Sequence, residues 1–179
     1  ASFNRTDYQM PGALTKAQMR RDRRQYQPAT PENWANAAPD DDGSDRYANV
    51  HAGLTAFLGP AGEFDLQLLY GKKDLEVNMP SWTSGQYADV DTETFGVTPK
   101  YVLETDLFGF GNKLILGADY YREPYRKTFY GTRERRGQNS QADLMREGLG
   151  SYIRDEFQLL KRLVLSAGYR LERTVIEGK

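Results

Sequence analysis

The stretch that decides the fold class is a pair of arms, Arg146-Glu-Gly-Leu-Gly-Ser-Tyr-Ile-Arg-Asp-Glu-Phe-Gln-Leu-Leu160 and Leu163-Val-Leu-Ser-Ala-Gly-Tyr-Arg-Leu-Glu-Arg-Thr-Val-Ile-Glu177, joined by Lys161-Arg162. In the second arm Leu163, Leu165, Ala167, Tyr169 and Leu171 share one parity, and Val164, Ser166, Gly168, Arg170 and Glu172 share the other. Alternation over about ten residues marks a strand with one apolar and one polar face. The first arm alternates more loosely, Leu149, Ile153, Phe157 and Leu159 against Gly150, Tyr152, Arg154, Glu156 and Gln158. A two-residue connection between such arms predicts an antiparallel hairpin. Asp155 falls with the apolar set, and a bulge near Arg154 would restore its parity.

Outward from this hairpin the pattern repeats. Ala48, Val50, Ala52, Leu54 and Ala56 alternate with polar or small residues up to the turn Gly59-Pro60-Ala61-Gly62. The chain returns through Phe64, Leu66, Leu68 and Tyr70, and a third strand carries Phe95, Val97, Tyr101 and Leu103, with Pro99 inside it, a residue that elsewhere would argue for an edge or a bulge. A fourth carries Leu114, Leu116, Ala118 and Tyr120. Connections alternate in length: long before Tyr47, short near 59, long at 79–89, short near 108, long at 123–145, short near 160. Long loops at one end and tight turns at the other describe an up-and-down meander, as in outer-membrane barrels. The polar parity bears both signs of charge (Lys100, Glu104, Lys113, Asp119, Arg154, Glu156, Arg170, Glu172), and the apolar parity ends in Tyr70, Tyr101, Tyr120 and Tyr169. This fits a barrel with a wet lumen and an aromatic girdle better than a soluble sheet with one face on a core, which has little reason to segregate loop length so consistently.

Composition narrows the functions. The 179 residues carry a net charge of −1, no cysteine and one histidine. Disulfides, thiolate metal sites and cysteine nucleophiles are excluded, a His-based triad is disfavoured, and no basic field points to nucleic acid. No apolar run reaches the roughly 18 residues of a transmembrane helix, a criterion that does not bear on barrel strands. Between Met10 and Arg46, Pro11, Gly12, Pro28, Pro31 and Pro39 interrupt regular structure, with one or two helical turns expected over Leu14–Arg24 behind a Thr15 N-cap. The basic residues Lys16, Arg20, Arg21, Arg23 and Arg24 read as a solvated face. Asp40-Asp41-Asp42-Gly43-Ser44-Asp45 has oxygen ligands but lacks the closing Glu of a calcium loop, and reads as a linker. His51 has no partner at ligand spacing, and the carboxylate pairs Asp89/Asp91 and Asp155/Glu156 have nothing to mark a pocket. Without a phosphate loop or nucleophile elbow, no enzyme is expected.

Four stretches carry a family likeness: Met10-Pro-Gly-Ala-Leu-Thr-Lys-Ala-Gln18, Gly96-Val-Thr-Pro-Lys100, Leu114-Ile-Leu-Gly-Ala-Asp-Tyr120, and Ser151-Tyr-Ile-Arg-Asp-Glu156 followed by Leu165-Ser-Ala-Gly-Tyr-Arg170. In order and spacing the chain resembles the barrel of TonB-dependent outer-membrane receptors that import ferric siderophores. The resemblance implies an all-β antiparallel meander forming part of a transmembrane barrel, with residues 1–9 a strand end, 10–46 a long extracellular loop and 47–177 about six strands. The family's plug domain, TonB box and C-terminal aromatic residue have no counterpart, which implies an internal piece of a larger receptor.

By the same resemblance the protein sits in the Gram-negative outer membrane among lipid and lipopolysaccharide. TonB would act through a plug outside this segment, and no resident cofactor is implied, only a ferric chelate as cargo. Ligand would be met by aromatic and basic loop residues: Trp34, Trp82, Tyr87, Tyr125, Tyr130, Arg133, Arg135 and Arg136. Arginine forks suit carboxylate or catecholate oxygens, and aromatic rings stack on flat ligands. The reading from a different class is a soluble or surface β-sheet module that binds a carbohydrate-like ligand with the same tyrosines.

Overall fold

The computed structural model describes residues 1–10, 14–24, 40–81 and 86–178. The strands are β1 (Ser2–Gln9), β2 (Asp42–Phe57), β3 (Glu63–Met79), β4 (Gln86–Leu107), β5 (Phe110–Tyr130), β6 (Gln138–Leu160) and β7 (Leu163–Gly178). They form one sheet in chain order, every neighbouring pair antiparallel. A short helix α1 (Lys16–Arg21) follows β1; Thr15 and Gln18 cap it reciprocally, in the capping-box arrangement.

Three connections at one end are tight. β2 and β3 join through a 3-10 turn at Gly59–Ala61, closed by the Leu58 N–H donating to the Gly62 carbonyl at 2.8 Å. Phe108 and Gly109 link β4 to β5 with φ of 56° and 81°, the left-handed pair of a two-residue hairpin turn. Lys161 and Arg162 link β6 to β7. At the other end the connections are residues 10–41, 80–85 and 131–137.

The strands are longer than the sequence suggested. β2 begins at Asp42, inside the expected long loop and its acidic run; most of the expected loop at 123–145 is strand, as are Met79 and residues 86–89 of that at 79–89. Alternation announces a strand only where one face meets an apolar medium. Beyond that level both faces are wet, and the ladder continues without a period-two signal.

Register sorts the side chains onto two faces. One carries Val50, Leu54, Phe64, Leu66, Leu68, Tyr70, Phe95, Val97, Tyr101, Leu103, Leu114, Leu116, Tyr120, Leu149, Ile153, Phe157, Leu165, Tyr169 and Leu171. On β4 this apolar run spans Phe95–Leu103, in line with the roughly 9–11 residues of a membrane-spanning strand. Aromatic rings bound it at both ends: Tyr70 opposite Phe95 with Tyr120 beyond, and Phe64 opposite Tyr101 with Phe157 and Phe110 in ring contact at 5.5 Å. From Phe64 to Tyr70 the rise is about 20 Å along the strand.

Among the described residues, nothing covers this face. Ala88, 4% exposed, is the one buried hydrophobic residue among those described. The surface area is 12913 Å², against about 8,800 Å² for a globular monomer of this mass. A soluble sheet packed on a core would show the opposite. The architecture is a single-layer barrel wall.

One local expectation needs correction. No bulge occurs near Arg154: the β5–β6 and β6–β7 ladders run regularly through Asp155, and the register shifts later, between Gln158 and Leu160. Asp155 stays on the apolar face near the tight turns, where the buried Asn112 amide donates to it at 2.6 Å. Pro99 marks neither an edge nor a register shift. The β4–β5 pairing lapses at Thr98–Pro99, and again at Glu93–Thr94 across from Pro124, and resumes each time in the same register. Each proline lacks an N–H to give the ladder, and the long strands tolerate the loss.

The opposite face carries the charges as neighbouring pairs: Lys100–Asp65 at 2.7 Å, Lys113–Glu104 at 2.8 Å, Arg170–Asp119 at 2.8 Å and Arg154–Glu156 at 2.7 Å. His51 sits there opposite Leu69. Both signs of charge on one face suit the wall of a water-filled interior.

Candidate ligand-recognition rim

Past the upper aromatic row, the outward face changes character within one residue pair. Tyr70 opposite Phe95 is followed by Lys72 opposite Glu93, then Asp74 opposite Asp91, then Glu76 opposite Asp89. Across β5 and β6 the same level holds the ion pairs Arg122–Glu147 at 3.5 Å and Arg126–Asp143 at 2.6 Å. Like charges directly opposite repel. Partial burial, and then the facing Asp74, push the Asp91 carboxyl above the usual carboxylate range. A cleft of about 940 Å³ runs along this level, lined among others by Lys72, Asp91, Pro124, Tyr125, Arg126 and Met145.

At the next pair, Glu76 and Asp89, the repulsion is relieved by the loop between β5 and β6. Arg135 reaches back so that Nε donates to Asp89 at 2.8 Å, Nη1 donates to Asn78 Oδ1 at 2.7 Å, and Nη2 lies 3.1 Å from Glu76 Oε1. Its guanidinium also stands 5.5 Å from the Tyr130 ring centroid. Arg133 pairs with Asp42 at the start of β2. Asn78, 4% exposed, in turn donates to Asp42 at 2.7 Å, and the buried Asp41 accepts from the Ser81 backbone N–H at 3.0 Å and from its hydroxyl at 2.5 Å. The carboxylates of Asp41 and Asp42 thus serve as hydrogen-bond acceptors that tie the top of β2 to β3 and to both loops.

Of the residues singled out from the sequence, Tyr87, Tyr130 and Arg135 come together, the two tyrosines as a directly opposite pair on β4 and β5. Arg133 joins them through the shared network, and Arg136 is exposed at the loop tip, its backbone N–H on Thr132 Oγ1 at 3.2 Å. Tyr125 stands apart on the interior parity, between Thr92 and Leu144. Tyr87, Tyr125 and Tyr130 are strand residues rather than loop residues. Trp34 and Trp82 lie outside the described residues. Asp155 and Glu156 face opposite ways and have different partners, Asn112 and Arg154. The basic residues around α1 are exposed.

Sequence reading did not find the acidic half of the rim: Asp42, Glu76 and Asp89 lie 91, 59 and 46 positions from the arginines they hold. The available signal was that charged residues replace apolar ones at the same parity just past Tyr70 and Phe95.

No protein-family model matches the chain, and no curated protein matches it. Solved structures do. The ferric citrate transporter FecA in its unliganded form aligns over 98% of this chain and 26% of its own, with a TM-score of 0.78 at 16% identity. The ferric-catecholate import receptor Fiu from E. coli K12, in a closed form, aligns over 77% of this chain and 24% of its own, with a TM-score of 0.55 at 14% identity. The chain spans about a quarter of the length of either structure. Seven meandering strands, an uncovered apolar belt and a charged inner face agree with this likeness: the chain has the fold of a segment of the β-barrel of TonB-dependent receptors.

Proposed function

We propose that this chain forms part of the wall and outer rim of an outer-membrane receptor that binds a ferric siderophore or similar chelate and imports it with energy supplied through TonB. The observation that carries the reading is the uncovered apolar belt, edged by aromatic rings and backed by a charged face. A sheet with that cross-section suits a place between lipid and a wet interior. The names of the two solved neighbours, a ferric citrate transporter and a ferric-catecholate import receptor, support the ligand class. The rim supports it chemically. Arginine forks and paired tyrosines present donors and flat faces to an oxygen-rich anion. TonB would act on a plug domain beyond this segment.

The test is uptake of radioactive iron by cells carrying the full-length protein, offered as ferric citrate and as a ferric catecholate, with and without TonB. Uptake of one chelate that vanishes without TonB is the expected result; uptake of neither, or uptake indifferent to TonB, contradicts it. Replacing Arg133, Arg135 and Arg136 together by Ala should weaken uptake of the chelate that is taken, and unchanged uptake would remove all three from the site.

A further inference from the structure

Arg133 and Arg135 are the two loop arginines that the rim's side-chain network holds, and both are already occupied. Arg135 is held by residues of two strands, Glu76 and Asn78 of β3 and Asp89 of β4, and Arg133 by Asp42 of β2. The loop that makes these contacts has Arg135 at φ 61°, a conformation L-residues rarely take, and Gly137, two residues on, at φ 65°. The Arg135 side chain is 19% exposed, whereas that of Arg133 is 50% exposed and open to exchange. Glu76 and Asp89 are directly opposite one another and need a cation between them, so the contact is matched from both sides.

We propose that the rim carries a built-in competitor for its own ligand. Asp42, Glu76 and Asp89 occupy the guanidinia of Arg133 and Arg135 with the same carboxylate chemistry that an oxygen-rich chelate would present. An incoming anion has to displace them, first at the half-exposed Arg133 and then at Arg135. Displacement frees the β5–β6 loop from β2, β3 and β4, so that ligand capture and loop release are one event. This rests on the receptor reading given above and adds to it an autoinhibitory contact. Its distinctive consequence is one of sign. Removing the arginines should weaken anion binding, whereas removing their carboxylate partners should strengthen it.

The experiment uses the full-length protein in detergent, spin-labelled at Glu134→Cys in the exposed loop, with Asp42→Asn/Asp89→Asn compared with the parent. Heat-modifiable migration serves as the check that each barrel is folded. Two quantities are read: label mobility without chelate, and affinity for ferric citrate and for a ferric catecholate. Higher mobility together with at least about fivefold tighter binding of one chelate is the expected result. Unchanged mobility overturns the latch. Higher mobility with equal or weaker binding overturns the competitor while leaving the receptor reading intact. Binding of neither chelate by the parent or the variant overturns the receptor reading and the competitor with it.

Discussion

At the scale of single residues, the close approaches on the inner face specify side chains most strictly. A Cβ placed on Gly117 would stand 2.2 Å from Cζ of Tyr152, the residue directly opposite on β6. The Tyr152 ring is seated on the bare backbone, with the Arg170 guanidinium 5.8 Å from its centroid and that arginine bonded to Asp119. Gly117→Val should therefore destabilise the barrel by about 1–3 kcal/mol through overpacking. Combined with Tyr152→Ala the costs should be non-additive, because the second change removes the clash. Chemical unfolding in lipid vesicles measures both; strict additivity would show that the ring is not seated there. The hairpin and its parities were legible from the sequence, but this seat was not, since nothing local says which tyrosine meets which glycine.

Asp91 gives a second test at this scale. Its carboxyl is held above the usual range by burial and by Asp74, so the folded state prefers the protonated form. That contribution is fully present below the ordinary carboxylate pKa and is lost as pH rises through the raised value. Neutralising the position with Asp91→Asn should stabilise the barrel at pH 7 by about 0.5 kcal/mol after allowance for solvent screening, and the advantage should shrink toward pH 4. A variant that loses stability at pH 7 would show that Asp91 is instead a needed partner of Arg126.

At the scale of elements, each strand has two regimes. The lower part faces an apolar medium on one side and was legible by parity: Leu163–Leu171 and Phe95–Leu103 were read correctly. The upper part, such as β4 before Phe95 and β5 after Tyr121, is wet on both faces and was read as loop. Depth within the belt can be tested by placing a charge. Leu68 lies on β3 between Phe64 of the lower aromatic row and Tyr70 of the upper, opposite Val97, whereas Leu165 stands close to the β6–β7 turn, opposite Phe157 of the lower row. Leu68→Arg should cost about 2–4 kcal/mol in a bilayer and Leu165→Arg only about 0–1 kcal/mol. Equal costs, or a negligible cost at Leu68, would show that the belt is not the lipid face.

At the scale of the whole molecule, a single layer with one buried hydrophobic residue among those described has no core of its own. Its stability must come from an apolar medium on one side and the continuous backbone ladder along the sheet, because unpaired peptide groups are intolerable in lipid. The candidate site follows from the same geometry. The strands outrun the belt, so their upper ends raise a polar rim beyond it, and the β5–β6 loop is strapped to that rim through side chains far apart in sequence. Tyr87, Tyr130, Arg133 and Arg135 were singled out by residue type and the structure gathers them at the rim, whereas Tyr125, singled out on the same ground, stands on the interior parity. The acidic half of the rim was not legible, because long-range pairing is a property of register and not of local composition.

The measurement that bears most directly on this account is the behaviour of the full-length protein on cell fractionation followed by electrophoresis with and without heating. Recovery in the outer membrane, with a compact form that migrates differently from the boiled form, is the result expected of a closed barrel containing this wall. A protein recovered as a stable monomer in plain buffer, with no heat-dependent shift, would contradict the membrane barrel and favour a soluble β-sheet module.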